Sequence, residues 1–196
     1  MFASRMPERA FYFGRTAAAL RELPLPARFA GETSLHVDVR SGDRRVEALG
    51  VIPHHVRINT EDIVTHRSLR VTSTERTWCD LAASGLVLAE LVAAGDRALW
   101  HRAPQTTAAR LSDCIRRYEG RRGSLLMREA FDLLSNAADS PPESEMRVAI
   151  VMAGFPLPEV NSEIRLRSGE TMQPDLSWPQ FKVAIDYEGG SPPRRS

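Results

Sequence analysis

The segment that most limits the possible folds of this chain is "NAADSPPES", residues 136–144. Pro141 and Pro142 lack amide donors, so they fit neither a helix interior nor a central strand. They do fit a helix's first turn, where amides have no intrahelical partner. Ser140 suits the N-cap, and Glu143 suits the positive end of the helix dipole. The segment therefore ends one unit and predicts a helix through "SEMRVAIVMAGF", stopped by Gly154. Met146, Ala149, Ile150 and Ala153 are its expected apolar stripe. Glu143 falls on the same stripe, which would aim a carboxylate at whatever the helix packs on. An ordinary first-turn acid, with the stripe starting at Met146, satisfies the same spacing.

Upstream of that boundary the chain mixes both periodicities. Residues 1–103 predict a mixed α/β region. "RTAAALRELPLP" is a short helix stopped by Pro24. "SLHVDVR" alternates as a strand does, "GVIPHHVRI" is a strand interrupted at Pro53, and "SLRVTS" is a third. Ser73 or Thr74 caps a helix that ends at Gly85. "LVLAELVAAGDRALW" follows, with Leu88, Leu91, Val92 and Leu99 on or near one face. Residues 104–138 predict a helical connector of two helices, one carrying Leu111, Cys114, Ile115 and Tyr118, the other Leu126, Ala130, Leu133 and Leu134. Between them "RRYEGRRG" gathers Arg116, Arg117, Arg121 and Arg122. A solvated turn accounts for them. So does a loop that contacts DNA phosphates, since guanidinium groups bind phosphate in a bidentate way.

A net charge of +1 means that bulk charge announces no nucleic-acid partner; any such partner needs a local patch. Cys79 and Cys114 are too few for a disulfide framework and predict buried thiols of a reducing compartment. With no signal-peptide core and no membrane-length apolar run, the expectation is a cytoplasmic protein without a membrane partner. The pair His54-His55 has no third ligand at a convincing spacing, and His36, His66 and His101 stand isolated. No nucleophile elbow and no Gly-rich phosphate loop is present. Trp78 and Trp100 are expected in the core.

The last sixty residues concentrate the acids. In "EIRLRSGETMQPDLSWPQFKVAIDYEG", Ile164 and Leu166 alternate with charged residues and "SGE" makes a turn. A tight turn at Pro179-Gln180 would place Trp178 opposite Phe181, Leu176 opposite Val183 and Pro174 opposite Ile185. One face then carries Leu176, Trp178, Phe181, Val183 and Ile185; the other carries Asp175, Lys182, Ala184, Asp186 and Glu188. A half-buried hairpin needs a polar face in any case. Yet Asp is depleted in strands, and neighbouring acids repel unless a cation such as Mg²⁺ relieves them. A bound divalent ion can polarise a phosphodiester and activate water.

In order and spacing these residues resemble very-short-patch-repair-endonuclease-like proteins, a branch of the PD-(D/E)xK nuclease fold. The matching points are Pro142 and Glu143, Met146-Arg147, Ala153-Gly154-Phe155, Pro174-Asp175, and the strand ending in Asp186, Glu188 and Gly189. The resemblance covers roughly residues 139–190. It implies a divalent-metal-dependent DNA endonuclease in which Glu143, Asp175 and Asp186 hold Mg²⁺, with Glu188 or Lys182 positioning water. Glu188 stands where the general pattern of the fold has lysine. "SLRVTSTERTWCDLA" is similar to a segment in actinobacterial type IV antitoxin-like proteins, which usually begin with a winged helix; none is legible before Phe11. In relatives a His-rich or basic segment, a helix and further strands follow the acid-x-acid-Gly strand. Here Gly189 is followed by "GSPPRRS". The expectation is thus an α+β chain whose residues 139–196 form an incomplete α-β-β-β core of a restriction-endonuclease-like fold, shortened after Gly189 and impaired as an enzyme. The alternative is a non-enzymatic antitoxin-like or DNA-binding regulator.

Overall fold

A computed structural model describes residues 9–39, 48–54 and 56–188. The expected ending after Gly189, the start before Arg9, and His55 lie outside the described residues. The class is α+β, as the mixed periodicities predict.

Among the described residues the N-terminal sheet has five strands. β1 (Ala10–Tyr12) is central. It pairs antiparallel with β2 (Leu35–Val39) and parallel with β5 (Leu69–Thr72). β3 (Val51–His54) joins β2 in parallel at one edge, and β4 (Ile63–His66) joins β5 in antiparallel at the other. Pro53 is tolerated because β3 is an edge strand. Two strands escape sequence reading. β1 is three residues long and buried throughout, so it shows no alternation. The turn between β4 and β5 is Arg67-Ser68, both at positive φ (48° and 66°), without the Gly or Asn that usually signals such a hairpin.

Among the described residues six α-helices form where helices are expected: α1 (Gly14–Leu20), α2 (Thr74–Ala82), α3 (Leu88–Leu99), α4 (Ala108–Arg117), α5 (Ser124–Phe131) and α6 (Pro141–Met152). Ser73, Thr107 and Ser140 cap α2, α4 and α6, each accepting a first-turn amide. One hydrophobic cluster draws Ala18, Trp78, Leu91, Leu111, Met127 and Val148 together. Packing therefore runs continuously across residues 103/104 and 138/139. A smaller cluster around Tyr12, Val37 and Val71 lies on the sheet. Trp78 is fully buried, with its indole donating to the Leu91 carbonyl (2.9 Å). Trp100 departs from expectation: it is half-buried, and its indole donates to Asp139 (2.8 Å).

Helix α6 is rotated from its expected setting. Glu143, Ser144, Arg147 and Val148 are its buried residues, whereas Ala149 and Ala153 are exposed. The reason is polar. Asp96 on α3 accepts from Ser144 Oγ (2.6 Å) and from the Arg147 guanidinium, and its other oxygen accepts the Ser135 amide (2.7 Å). Arg147 also donates to the Leu133 carbonyl. Satisfying a buried carboxylate outweighs turning a few small apolar side chains inward.

After α6 come β6 (Glu159–Val160), a small hairpin of β7 (Ile164–Arg165) and β8 (Thr171–Met172), and the pair β9 (Leu176–Trp178) and β10 (Val183–Ile185). The three-stranded sheet runs β10-β9-β6. The β9–β10 turn is longer than the tight turn expected. Pro179–Phe181 form a 3₁₀ turn, and Lys182 adopts the left-handed region (φ 57°). The register consequently shifts by two residues: Trp178 opposes Val183, and Leu176 opposes Ile185. A shift of two preserves the faces, so Leu176, Trp178, Val183 and Ile185 stay together. Lys182 and Phe181 leave the strands for the turn.

Candidate functional site

The shifted register makes Asp175 and Asp186 neighbours just past the ends of β9 and β10. The Asp175 amide donates to Asp186 Oδ1 (3.3 Å), and the Tyr187 amide donates to Asp175 Oδ2 (2.6 Å). Glu143 approaches from the first turn of α6. Its Oε1 accepts from Ser140 Oγ (2.6 Å), and its Oε2 accepts from the Asp139 amide (3.0 Å) and from Asn161 Nδ2 (3.3 Å). Glu143 is thus both a buried cap of its own helix and a member of the acidic group.

Electrostatics ties the group together. The Asp175 carboxyl is pushed up from its ordinary value, chiefly by burial, against which the Tyr187 amide acts. The negative charges of Glu143, Asp186 and Asp139 raise it further. The helix acid and the hairpin acids named from sequence therefore share one field. Asp139 joins them unforeseen, although Trp100 and Arg102 (3.1 Å) hold its carboxylate.

Carboxylate oxygens are the ligands that Mg²⁺ prefers, but their placement does not match the expectation of a metal site. Among the described residues no group of three or more His, Cys, Asp or Glu side chains stands where it would hold a metal ion. Glu143, Asp175 and Asp186 each spend at least one oxygen on a protein donor instead. Lys182, in the left-handed turn, and Glu188, beyond β10, are both exposed. Among the described residues neither is hydrogen-bonded to the three acids.

The residue that sequence reading missed is Asn161. It sits at positive φ (49°), a conformation that Asn tolerates better than most side chains. Its amide nitrogen side chain bridges the Ala137 carbonyl (2.7 Å) and Glu143, while its backbone N–H donates to the Asp175 carbonyl (3.0 Å). Gln173 Nε2 in turn donates to the Asn161 carbonyl (2.7 Å). One residue thus couples α6 to β9. The only sequence signal was an Asn directly after a short strand.

The four arginines of "RRYEGRRG" divide. Arg116 pairs with Asp113, and Arg117 pairs with Asp62 (2.9 Å). Arg121 instead lies over the Tyr118 ring (4.7 Å to the centroid), and both Arg121 and Arg122 line a cavity against the N-terminal sheet. His36 is not isolated: its Nδ1 is 2.8 Å from His54 Nε2.

Over 87 residues the chain is 32% identical to two uncharacterized proteins of Mycobacterium tuberculosis. The match covers 44% of this chain, and the chain spans about a third (32%) of the length of those curated relatives. No family model matches the chain, and no solved structure gives a significant match. No helix among the described residues is long and apolar enough to cross a membrane.

Proposed function

We propose that this chain is a DNA endonuclease-family protein of the PD-(D/E)xK kind, with Glu143, Asp175 and Asp186 as its acidic centre. The observation that carries the reading is the placement of the three acids: the Asp175 amide donates to Asp186 across the last hairpin, and Asn161 links Glu143 to the Asp175 carbonyl. Clustered like charges cost stability, and acids perturbed in this way gather at functional sites. The centre is hydrogen-bonded, and among the described residues no group of three or more such side chains stands where it would hold a cation. That observation favours a second reading: a DNA-binding regulator without cleavage, in which the basic residues before the Pro-rich boundary make the contacts.

Plasmid nicking in Mg²⁺ against EDTA separates the two. Mg²⁺-dependent nicking that falls at least tenfold in Asp175→Ala supports the endonuclease. Nicking that survives this substitution removes the acidic centre from the reaction. Salt-sensitive DNA binding with no nicking by the purified chain supports the regulator.

A further inference from the structure

A cavity of about 590 Å³ opens between the N-terminal sheet, α2 and the turn that joins α4 to α5. Its volume falls within the roughly 300–1,000 Å³ common for small-molecule sites. It shares no lining residue with the acidic centre. Three parts of its wall differ in chemistry.

The lip carries Arg57, Arg121 and Arg122, all exposed. Among the described residues none of the three is ion-paired, whereas the other two lining arginines are: Arg15 pairs with Glu32 (2.7 Å) and Arg76 pairs with Asp80 (2.9 Å). Arg121 is held in place by the Tyr118 ring and by donation to the Arg57 carbonyl (3.3 Å). The side wall is aromatic. Phe13 and His54 lie 4.9 Å apart between ring centroids, and His54 is stacked on His36. The third part is Asp80, buried on α2. Its Oδ1 accepts from Arg76 and from the Tyr118 hydroxyl, but its Oδ2 is buried with no hydrogen-bond partner. An unsatisfied buried carboxylate oxygen is costly, and a ligand that brings an N–H to it removes that cost.

Uncompensated guanidinium groups suit a phosphate, flat rings suit a heteroaromatic base, and an orphaned acceptor suits the amino group of that base. We propose that this cavity binds a nucleotide, its phosphate against Arg57, Arg121 and Arg122, its base against Phe13 and His54, and its amino group on Asp80 Oδ2. The phosphate ester belongs either to a free mononucleotide or to the end of a DNA strand.

Calorimetric titration of the full chain at low salt, in EDTA, tests the proposal independently of any metal-dependent cleavage. The probes are adenosine monophosphate, inorganic phosphate, and one single-stranded oligonucleotide with and without a 5′-phosphate. Saturable binding of adenosine monophosphate, at least tenfold tighter than phosphate, supports a free nucleotide. Tighter binding of the 5′-phosphorylated oligonucleotide than of its unphosphorylated form supports a strand end. Either affinity falls at least tenfold in Arg121→Ala/Arg122→Ala, two exposed positions whose loss leaves the thermal unfolding midpoint in place. Arg128→Ala, at an exposed arginine outside the cavity, leaves it unchanged. Asp80→Asn weakens adenosine monophosphate and leaves phosphate unaffected. Absence of saturable binding by any nucleotide probe overturns the proposal, as does binding indifferent to the Arg121/Arg122 pair.

Discussion

Asp80 shows what burial does to a single residue. Its carboxyl rises from 3.8 to about 6, because loss of water outweighs the attraction of Arg76 and the hydroxyl of Tyr118. An acid raised in the folded state holds its proton more tightly there than in the unfolded chain. Its stabilising share is complete below pH 3.8 and is lost as pH rises through about 6. At about 1.4 kcal/mol per pH unit, the loss is at most ~3 kcal/mol. Wild type minus Asp80→Asn, compared by denaturant unfolding at pH 4 and pH 7, should show wild type losing ground toward neutral pH. A difference that stays flat over that window would sink the assignment. Sequence gave no hint of this, because "TWCDLA" reads as an ordinary helix whose Asp is free to face water. Asn161 was equally hidden: its role is defined by Glu143 and Asp175, which reach it from other parts of the chain.

Elements were legible where a local device sets them. Ser73 and Ser140 start helices by hydrogen bonds made within one turn, so both helix starts could be read directly. The β9–β10 register could not, because it depends on Lys182 entering the left-handed region, a choice without a strong sequence signal. The faces survived since the slip was two residues. Helix α3 offers a sharper test of packing against propensity. A Cβ on Gly95 would meet Leu134 Cδ2 and lie 2.8 Å from Trp78 Nε1, an atom already fixed by the Leu91 carbonyl. Alanine gains roughly 1 kcal/mol of helix propensity, whereas overpacking costs roughly 1–3 kcal/mol. Leu134 can turn aside, but Trp78 cannot. Because Trp78 holds the overpacking cost toward its upper end, Gly95→Ala should lower stability by up to about 2 kcal/mol and the unfolding midpoint by several degrees. An unchanged or raised midpoint would show that the core yields at that point.

At the scale of the molecule, the Asp96–Arg147 pair joins the acid-bearing end of the chain to its helical core. Both side chains are buried, and burial raises the Asp96 carboxyl against the pull of Arg147. Asp96→Ala leaves a buried guanidinium without its partner and should cost about 3–5 kcal/mol. Asp96→Leu/Arg147→Leu should cost less than the two single changes added together, since no lone charge remains. Simple additivity in chemical denaturation would show that the pair does not couple α3 to α6. The sequence by itself determined the α+β class, most helix starts, the Pro-led first turn of α6 and the separation of apolar from acidic faces in the last hairpin. Each of these follows from local dihedral preference, capping or periodicity. Only the tertiary structure decided which face of α6 is buried, that Asp175 opposes Asp186, that their oxygens turn to backbone amides, and that Arg121 and Arg122 meet the N-terminal sheet. Those outcomes depend on groups distant in sequence competing for the same buried hydrogen bonds, and that competition is resolved only when the chain is packed.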